Sequence, residues 1–293
     1  MAQSGVGVER PHRRSVQCAS PRGLHRMAYV EWGDPRNRDV LVCVHGLTRT
    51  GRDFDALGRE LCSRWRVVCP DVAGRGDSDW LADPMLYVVP QYVADMVTLI
   101  ARLDVESVRW VGTSLGGLIG MALAAQAGAP VTHLVLNDVG AVITRASLAR
   151  IAAYVGKAPS FRSVEEAERY IRSIAAPFGP HSDAEWRFLT ETWLRRNDDG
   201  TLRAHYDPRI AQAATVPERD LELWSVYDAM RCPTLVLRGE HSDLLTRDTA
   251  AEMAKRGPRA KVAEIRGVGH APTLLHADQV AIVRDFLIEG ASP

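Results

Sequence analysis

Hydrophobic and polar positions along this chain alternate between two rhythms. LHRMAYVEW (24–32) switches between apolar and polar residues, as a half-exposed strand does. DVLVCVHG (39–46) and WRVVCPDV (65–72) are nearly continuous apolar runs, the pattern of parallel strands buried on both faces. Between them, GRDFDALGRELCSR (51–64) has helical periodicity. PQYVADMVTLIARL (90–103) reads as a helix with proline in its first turn. SVRWVGT (107–113), GLIGMALAAQAG (117–128) and VTHLVLNDV (131–139) continue as strand, helix and strand.

From about 140 to 229 the pattern is mostly helical, through RASLARIAAYV, VEEAERYIRSIAAPF and SDAEWRFLTETWLRR, with no buried-strand run. Alternation resumes with PTLVLRGE (233–240), RDTAAEMAKRG, AKVAEIRGVG (260–269) and a closing helical stretch. This pattern predicts an α/β fold, a mostly parallel, doubly wound sheet, with a helical cap inserted between its two parts. The expected division is a core over 23–139 and 230–293, a cap over 140–229, and a loose N-terminal arm over 1–22.

Candidate chemistry begins at Gly112-Thr113-Ser114-Leu115-Gly116, between a predicted strand and a predicted helix. A tight strand-to-helix turn forces its central residue into a strained backbone and presents that side chain at the sheet edge. Gly112, Gly116 and Gly117 permit the close approach of strand and helix. The Leu115 N–H, at the helix N-terminus, would face an oxyanion formed at Ser114. A serine hydroxyl needs a base, and the base needs an orienting group. His270, in GVGHAPTLL after the last strand, is the expected base. Asp243, in RGEHSDLL after the preceding strand, is the expected acid; Asp138 and Glu240 are the alternatives. The order Ser114, Asp243, His270 suits a nucleophile elbow with its acid and base downstream.

These segments, with VHGLTRTGRDF (44–54) and DVAGRGDSDW (71–80), resemble the α/β-hydrolase superfamily over roughly residues 24 to 290. The chain looks like the capped serine hydrolases of that superfamily, and GLTRTGRDFD and VCPDVAGRGDSDW are similar to segments of bacterial hydrolases acting on short hydroxyalkanoate oligomers. The resemblance implies a second oxyanion donor, the backbone N–H of Leu47 after His45-Gly46, and a loop Gly74–Ser78 that shapes the pocket wall. It also implies that activities using an aspartate nucleophile are absent, because Ser114 stands at that position.

The remaining features narrow the partners. Lys+Arg and Asp+Glu both number 36 in 293 residues, so neither nucleic acid nor an anionic membrane surface is an expected partner. No run of about 18 apolar residues exists to form a membrane span. Five cysteines without CxxC spacing read as free thiols in a reducing, cytoplasmic compartment. No metal-binding or dinucleotide-binding spacing occurs, so neither metal nor cofactor is expected. Trp186, Trp193 and Trp224 of the helical block are candidate walls of an apolar pocket, and Arg49 could meet a substrate carboxylate. The expected function is cleavage of a small carboxylic ester through an acyl-serine intermediate, by a monomer or homodimer. An acyltransferase, a C–C bond hydrolase with the same residues, or a small-molecule receptor on this fold are the competing readings.

Overall fold

The computed structural model describes residues 11–157 and 159–289. The chain opens with a hairpin, β1 (His12–Ser20) and β2 (Gly23–Trp32), paired in antiparallel register from His12 opposite Glu31 to Ser20 opposite Gly23. The expected loose arm is therefore a strand from residue 12 onward. Its inward positions, Val16 and Cys18, are buried, whereas the intervening charges made the segment look unstructured. Residues 1–10 of that arm lie outside the described residues.

There follow β3 (Val40–Val44), α1 (Asp55–Leu61), β4 (Arg66–Pro70), α2 (Val89–Arg102), β5 (Val108–Thr113), α3 (Leu115–Ala124) and β6 (Val131–Asn137). Next comes an inserted segment: β7 (Val142–Ile143), α4 (Arg145–Ala152), β8 (Ser160–Phe161), α5 (Val164–Ile174), α6 (Asp183–Glu191), β9 (Leu194–Arg196), β10 (Leu202–Ala204), α7 (Ile210–Ala213), β11 (Leu221–Glu222) and α8 (Trp224–Ala229). β12 (Thr234–Gly239), α9 (Arg247–Met253), β13 (Lys261–Ile265) and α10 (Ala277–Glu289) complete the chain.

The large sheet has the order β1-β2-β4-β3-β5-β6-β12-β13. Its six strands from β4 to β13 run parallel, and the β1–β2 hairpin adds an antiparallel edge. Alternation along each strand divides the core in two. Val40, Val42 and Val44 face one layer with Trp110, Leu134, Leu136 and Val236. Leu41 and Cys43 face the other with Val67, Val111, Val135 and Leu237. Helices α2 and α3 contribute to the first layer, α1 and α10 to the second. This is why the central strands read as unbroken apolar runs.

The insertion leaves β6 and returns at its sheet neighbour β12. It is not purely helical: β8, β10 and β9 form a small antiparallel sheet, and β11 pairs with β7. These strands are two or three residues long, too short for an alternation signal. Local chemistry sets its helix starts. Thr144 and Ser163 each accept the N–H three residues on, and Ser182 with Glu185 forms a reciprocal capping box.

Candidate active site

Ser114 joins β5 to α3 with φ 51° and ψ −111°, outside the conformations common for a residue with a Cβ. Its backbone is held on both sides: its N–H donates to Asn137 O at 3.0 Å, and its C=O accepts from Gly117 N at 2.9 Å. The flanking glycines have a steric cause. A Cβ on Gly112 would lie 2.2 Å from Gly116 O, and one on Gly116 would lie 2.0 Å from Val44 O.

His270 reaches this corner from the loop after β13. Its Nε2 lies 3.0 Å from Ser114 Oγ. Its Nδ1 lies 2.8 Å from Asp138 Oδ2, in the loop after β6. A carboxylate only accepts, so Nδ1 carries the proton and Nε2 offers its lone pair to the serine hydroxyl. Asp138 is wholly buried and has two further donors: Gly239 N at 2.7 Å to Oδ1 and Ser242 Oγ at 2.6 Å to Oδ2.

The expected acid is thus corrected. Asp243 does not touch His270; it pairs with Arg150 of α4, Nε to Oδ2 at 2.5 Å and Nη2 to Oδ1 at 2.8 Å. It is half exposed and lies four residues past the end of β12, whereas Asp138 follows β6 directly. The second alternative, Glu240, accepts the N–H of Gly267 instead.

The turn after β3 closes the other side. A Cβ on Gly46 would sit 3.8 Å from Ser114 Cβ, which brings Leu47 beside the serine. His45 is buried within the fold beneath it, its Nδ1–H donating to Gly46 O at 2.7 Å and its Nε2 accepting from Val72 N at 2.9 Å. Burial is the main reason its pKa falls to about 3. Buried Arg75 donates from Nε to Leu47 O at 2.8 Å and from Nη1 to Ala73 O and Tyr92 Oη. The Gly74–Ser78 loop therefore acts on the site from behind, through the Leu47 peptide, and none of its residues lines the cavities at Ser114. Leu115, as the first residue of α3, has an N–H with no intrahelical acceptor.

Two cavities meet at Ser114, and both include Leu47 and Ile151. One, of about 110 Å³, contains His270, Arg49, Arg150, Tyr154 and Trp193. The other, of about 180 Å³, is lined chiefly by apolar groups such as Leu115, Leu118, Val139, Leu148 and Val155. Of the tryptophans expected at the pocket, Trp193 lines the first cavity, packed on Phe161 and Tyr170. Trp186 and Trp224 line neither cavity: Trp186 packs against His181 and Arg172, and Trp224 against Tyr227 and Arg256. Arg49 lies on the wall but is engaged by Asp53 and by Leu189 O. Arg150 had no motif to mark it. Its position depends on how α4 folds over the sheet.

Among the described residues one set of close potential metal ligands occurs, Cys18, His25 and Asp95, and none of them lines either cavity. His25 Nε2 pairs with Asp95 Oδ2 at 3.0 Å, and Gln91 donates to Asp95 Oδ1. Burial pushes the Cys18 thiol up to about 12, so it packs as a neutral group. Among the described residues no helix is long and apolar enough to cross a membrane.

Residues 39–277 match the family model described as the alpha/beta hydrolase fold. The chain belongs to the α/β-hydrolase family. It is an α/β-hydrolase acting on esters. It is 52% identical over 285 residues to a 3-hydroxybutyrate-oligomer hydrolase of Cupriavidus necator, covering 94% of this chain and 97% of that one. It is 30% identical over 258 residues to a pimeloyl-[acyl-carrier protein] methyl ester esterase of Xanthomonas campestris, covering 83% and 92%. A crystal structure of an α/β-hydrolase from Novosphingobium aromaticivorans superposes with a TM-score of 0.86 at 36% identity, covering 96% of this chain and 99% of that one. A Rickettsia typhi chain superposes at 0.90 with 32% identity, covering 96% and 100%.

Proposed function

We propose that this α/β-hydrolase cleaves short hydroxyalkanoate oligomers through an acyl-Ser114 intermediate, with His270 as base and acid and Asp138 as its orienting carboxylate. The observation that carries the reading is the bridge made by His270, 3.0 Å from Ser114 Oγ and 2.8 Å from Asp138 Oδ2. The substrate class rests on the 52% identity to a 3-hydroxybutyrate-oligomer hydrolase across nearly both chains.

His270 Nε2 takes the serine proton as Oγ attacks the ester carbonyl. The Leu47 and Leu115 N–H groups stabilise the resulting oxyanion, each worth about 3–4 kcal/mol in comparable sites. His270 then gives the proton to the departing alkoxide and next takes one from the water that releases the acyl group. The leaving oxygen must therefore sit on the His270 side, in the smaller cavity. The acyl chain occupies the apolar cavity at Leu115 and Leu118. The segment between β6 and β12 serves as a cap over both. The free thiols of Cys18, Cys43, Cys69 and Cys232 suit a reducing, cytoplasmic setting.

The test is chromatographic: release of 3-hydroxybutyrate from its linear dimer and trimer by wild type and by Ser114→Ala, with mass spectrometry of the trapped acyl-enzyme. Release that the alanine variant loses, with the acyl mass on the peptide bearing Ser114, is expected. Oligomer cleavage that persists in the variant, or an acyl group elsewhere, overturns the mechanism; no cleavage by wild type overturns the substrate.

A further inference from the structure

Two arginines face the cavity on the His270 side of Ser114, and they are held differently. Arg49 is embraced by Asp53, with contacts of 2.6 to 3.1 Å, and its Nη1 donates to Leu189 O at 3.1 Å. Both side chains of that pair are mostly buried, at 12% and 19% exposed. Arg150 is gripped along one edge only, by Asp243, in a pair whose side chains are 37% and 49% exposed. Tyr154 lines the same cavity, its hydroxyl near enough to the guanidinium to interact with it electrostatically.

An ion pair this open to solvent contributes little to stability, so exchanging or sharing the Asp243 carboxylate costs little. The Arg49 pair is less screened and is tied to the cap backbone, so it is the poorer receiver. A guanidinium beside a tyrosine hydroxyl suits a carboxylate. It stands in the cavity that receives the leaving group.

We infer that Arg150, with Tyr154, binds the free terminal carboxylate of the substrate, so that the enzyme selects free-acid oligomers and cleaves the ester nearest that carboxylate. This rests on the hydroxyalkanoate reading above. The Ser114 Oγ–acyl bond forms, the ester C–O bond breaks, and the proton on His270 Nε2 passes to the hydroxyl of the released hydroxy acid. Its carboxylate stays on Arg150 until product leaves.

The experiment compares kcat/KM for the linear 3-hydroxybutyrate dimer as free acid and as its neutral primary amide. Wild type is expected to prefer the acid by about ten- to hundredfold, the range for a hydrogen bond to a charged group. Arg150→Met lowers that ratio to below about threefold. Arg150→Lys keeps part of it, because a point charge replaces the planar fork. Asp243→Asn raises it by freeing the guanidinium, and Arg49→Met leaves it in place. Ratios are taken within each variant, so a change in overall turnover does not confuse them. Should Arg150→Met not fold, the lysine and Asp243→Asn variants carry the test. A wild-type ratio near one with both dimers cleaved overturns this inference alone. So does a preference that survives Arg150→Met or disappears in Arg49→Met. Failure to cleave either dimer overturns the inference together with the substrate reading.

Discussion

The loops after β6 and β12 leave neighbouring parallel strands at the same sheet edge, and each carries an aspartate. Asp138 is sealed from solvent and accepts from Gly239 N, Ser242 Oγ and His270 Nδ1. Asp243 is half exposed and turned outward to Arg150. The end of β12 and its loop still hold Asp138, through the N–H of Gly239 and the hydroxyl of Ser242. The difference teaches that burial and the donors around a carboxylate decide which of two aspartates meets the histidine. Two residues can share a sheet edge and a chain order without sharing a role.

The strongest way to break this comparison is Asp138→Asn. An amide can turn its NH₂ toward His270 and favour the wrong tautomer, and the equivalent change costs about 10⁴ in kcat in serine proteases. A similar loss is expected in p-nitrophenyl butanoate hydrolysis, with the circular dichroism spectrum retained. Near wild-type rates would return the acid role to the loop after β12.

A third strand end, that of β3, sharpens the contrast through acid stability. His45 is buried neutral, with its pKa lowered to about 3 chiefly by desolvation. A base with a lowered folded pKa contributes stability that is fully present above its unfolded value near 6.5. That stability is lost as pH falls from there toward 3. At about 1.4 kcal/mol per pKa unit, the loss is of the order of a few kcal/mol. Urea midpoints between pH 7 and 4 should therefore fall steeply in wild type and less steeply in His45→Asn. Parallel slopes would mean that His45 is protonated in the folded chain.

Ser242→Ala tests the donors rather than the acid. It removes the hydroxyl from Asp138 and leaves the N–H groups of Leu244 and Leu245 without that acceptor. About a tenfold fall in kcat is expected, with roughly 1–2 kcal/mol lost in thermal unfolding. An unchanged kcat would show that Gly239 alone suffices to hold the carboxylate. The smallest effect is expected from Asp243→Asn on the neutral ester: less than about tenfold in kcat and at most about 1 kcal/mol in stability, as for exposed ion pairs.

The strand-to-helix corner, the alternation of apolar strands with helices and the loop that carries His270 were all legible in the chain. Each depends on residues adjacent in sequence. The elbow has glycines two places before and two after Ser114: a Cβ on Gly112 would meet the Gly116 backbone, and one on Gly116 would meet Val44 of the neighbouring strand. The hairpin strand β1 was not legible. Its polar face dominates the pattern, and its partner β2 supplies the register. The small strands of the segment between β6 and β12 were too short to register, and which tryptophan would reach the pocket depended on how the helices of that segment pack.

By itself, then, the sequence determined an α/β core with a long inserted segment, a serine at a strained turn, and a histidine in the loop after the last strand. Both Asp138 and Asp243 satisfy the order serine, aspartate, histidine, so chain order could not separate them. Tertiary structure decided between them, because burial and convergent hydrogen bonds are properties of surroundings. Asp138 lies 132 residues from His270 in the chain yet contacts it at 2.8 Å. The same packing turned Asp243 toward Arg150 and so set a cation on the wall of the cavity that His270 lines.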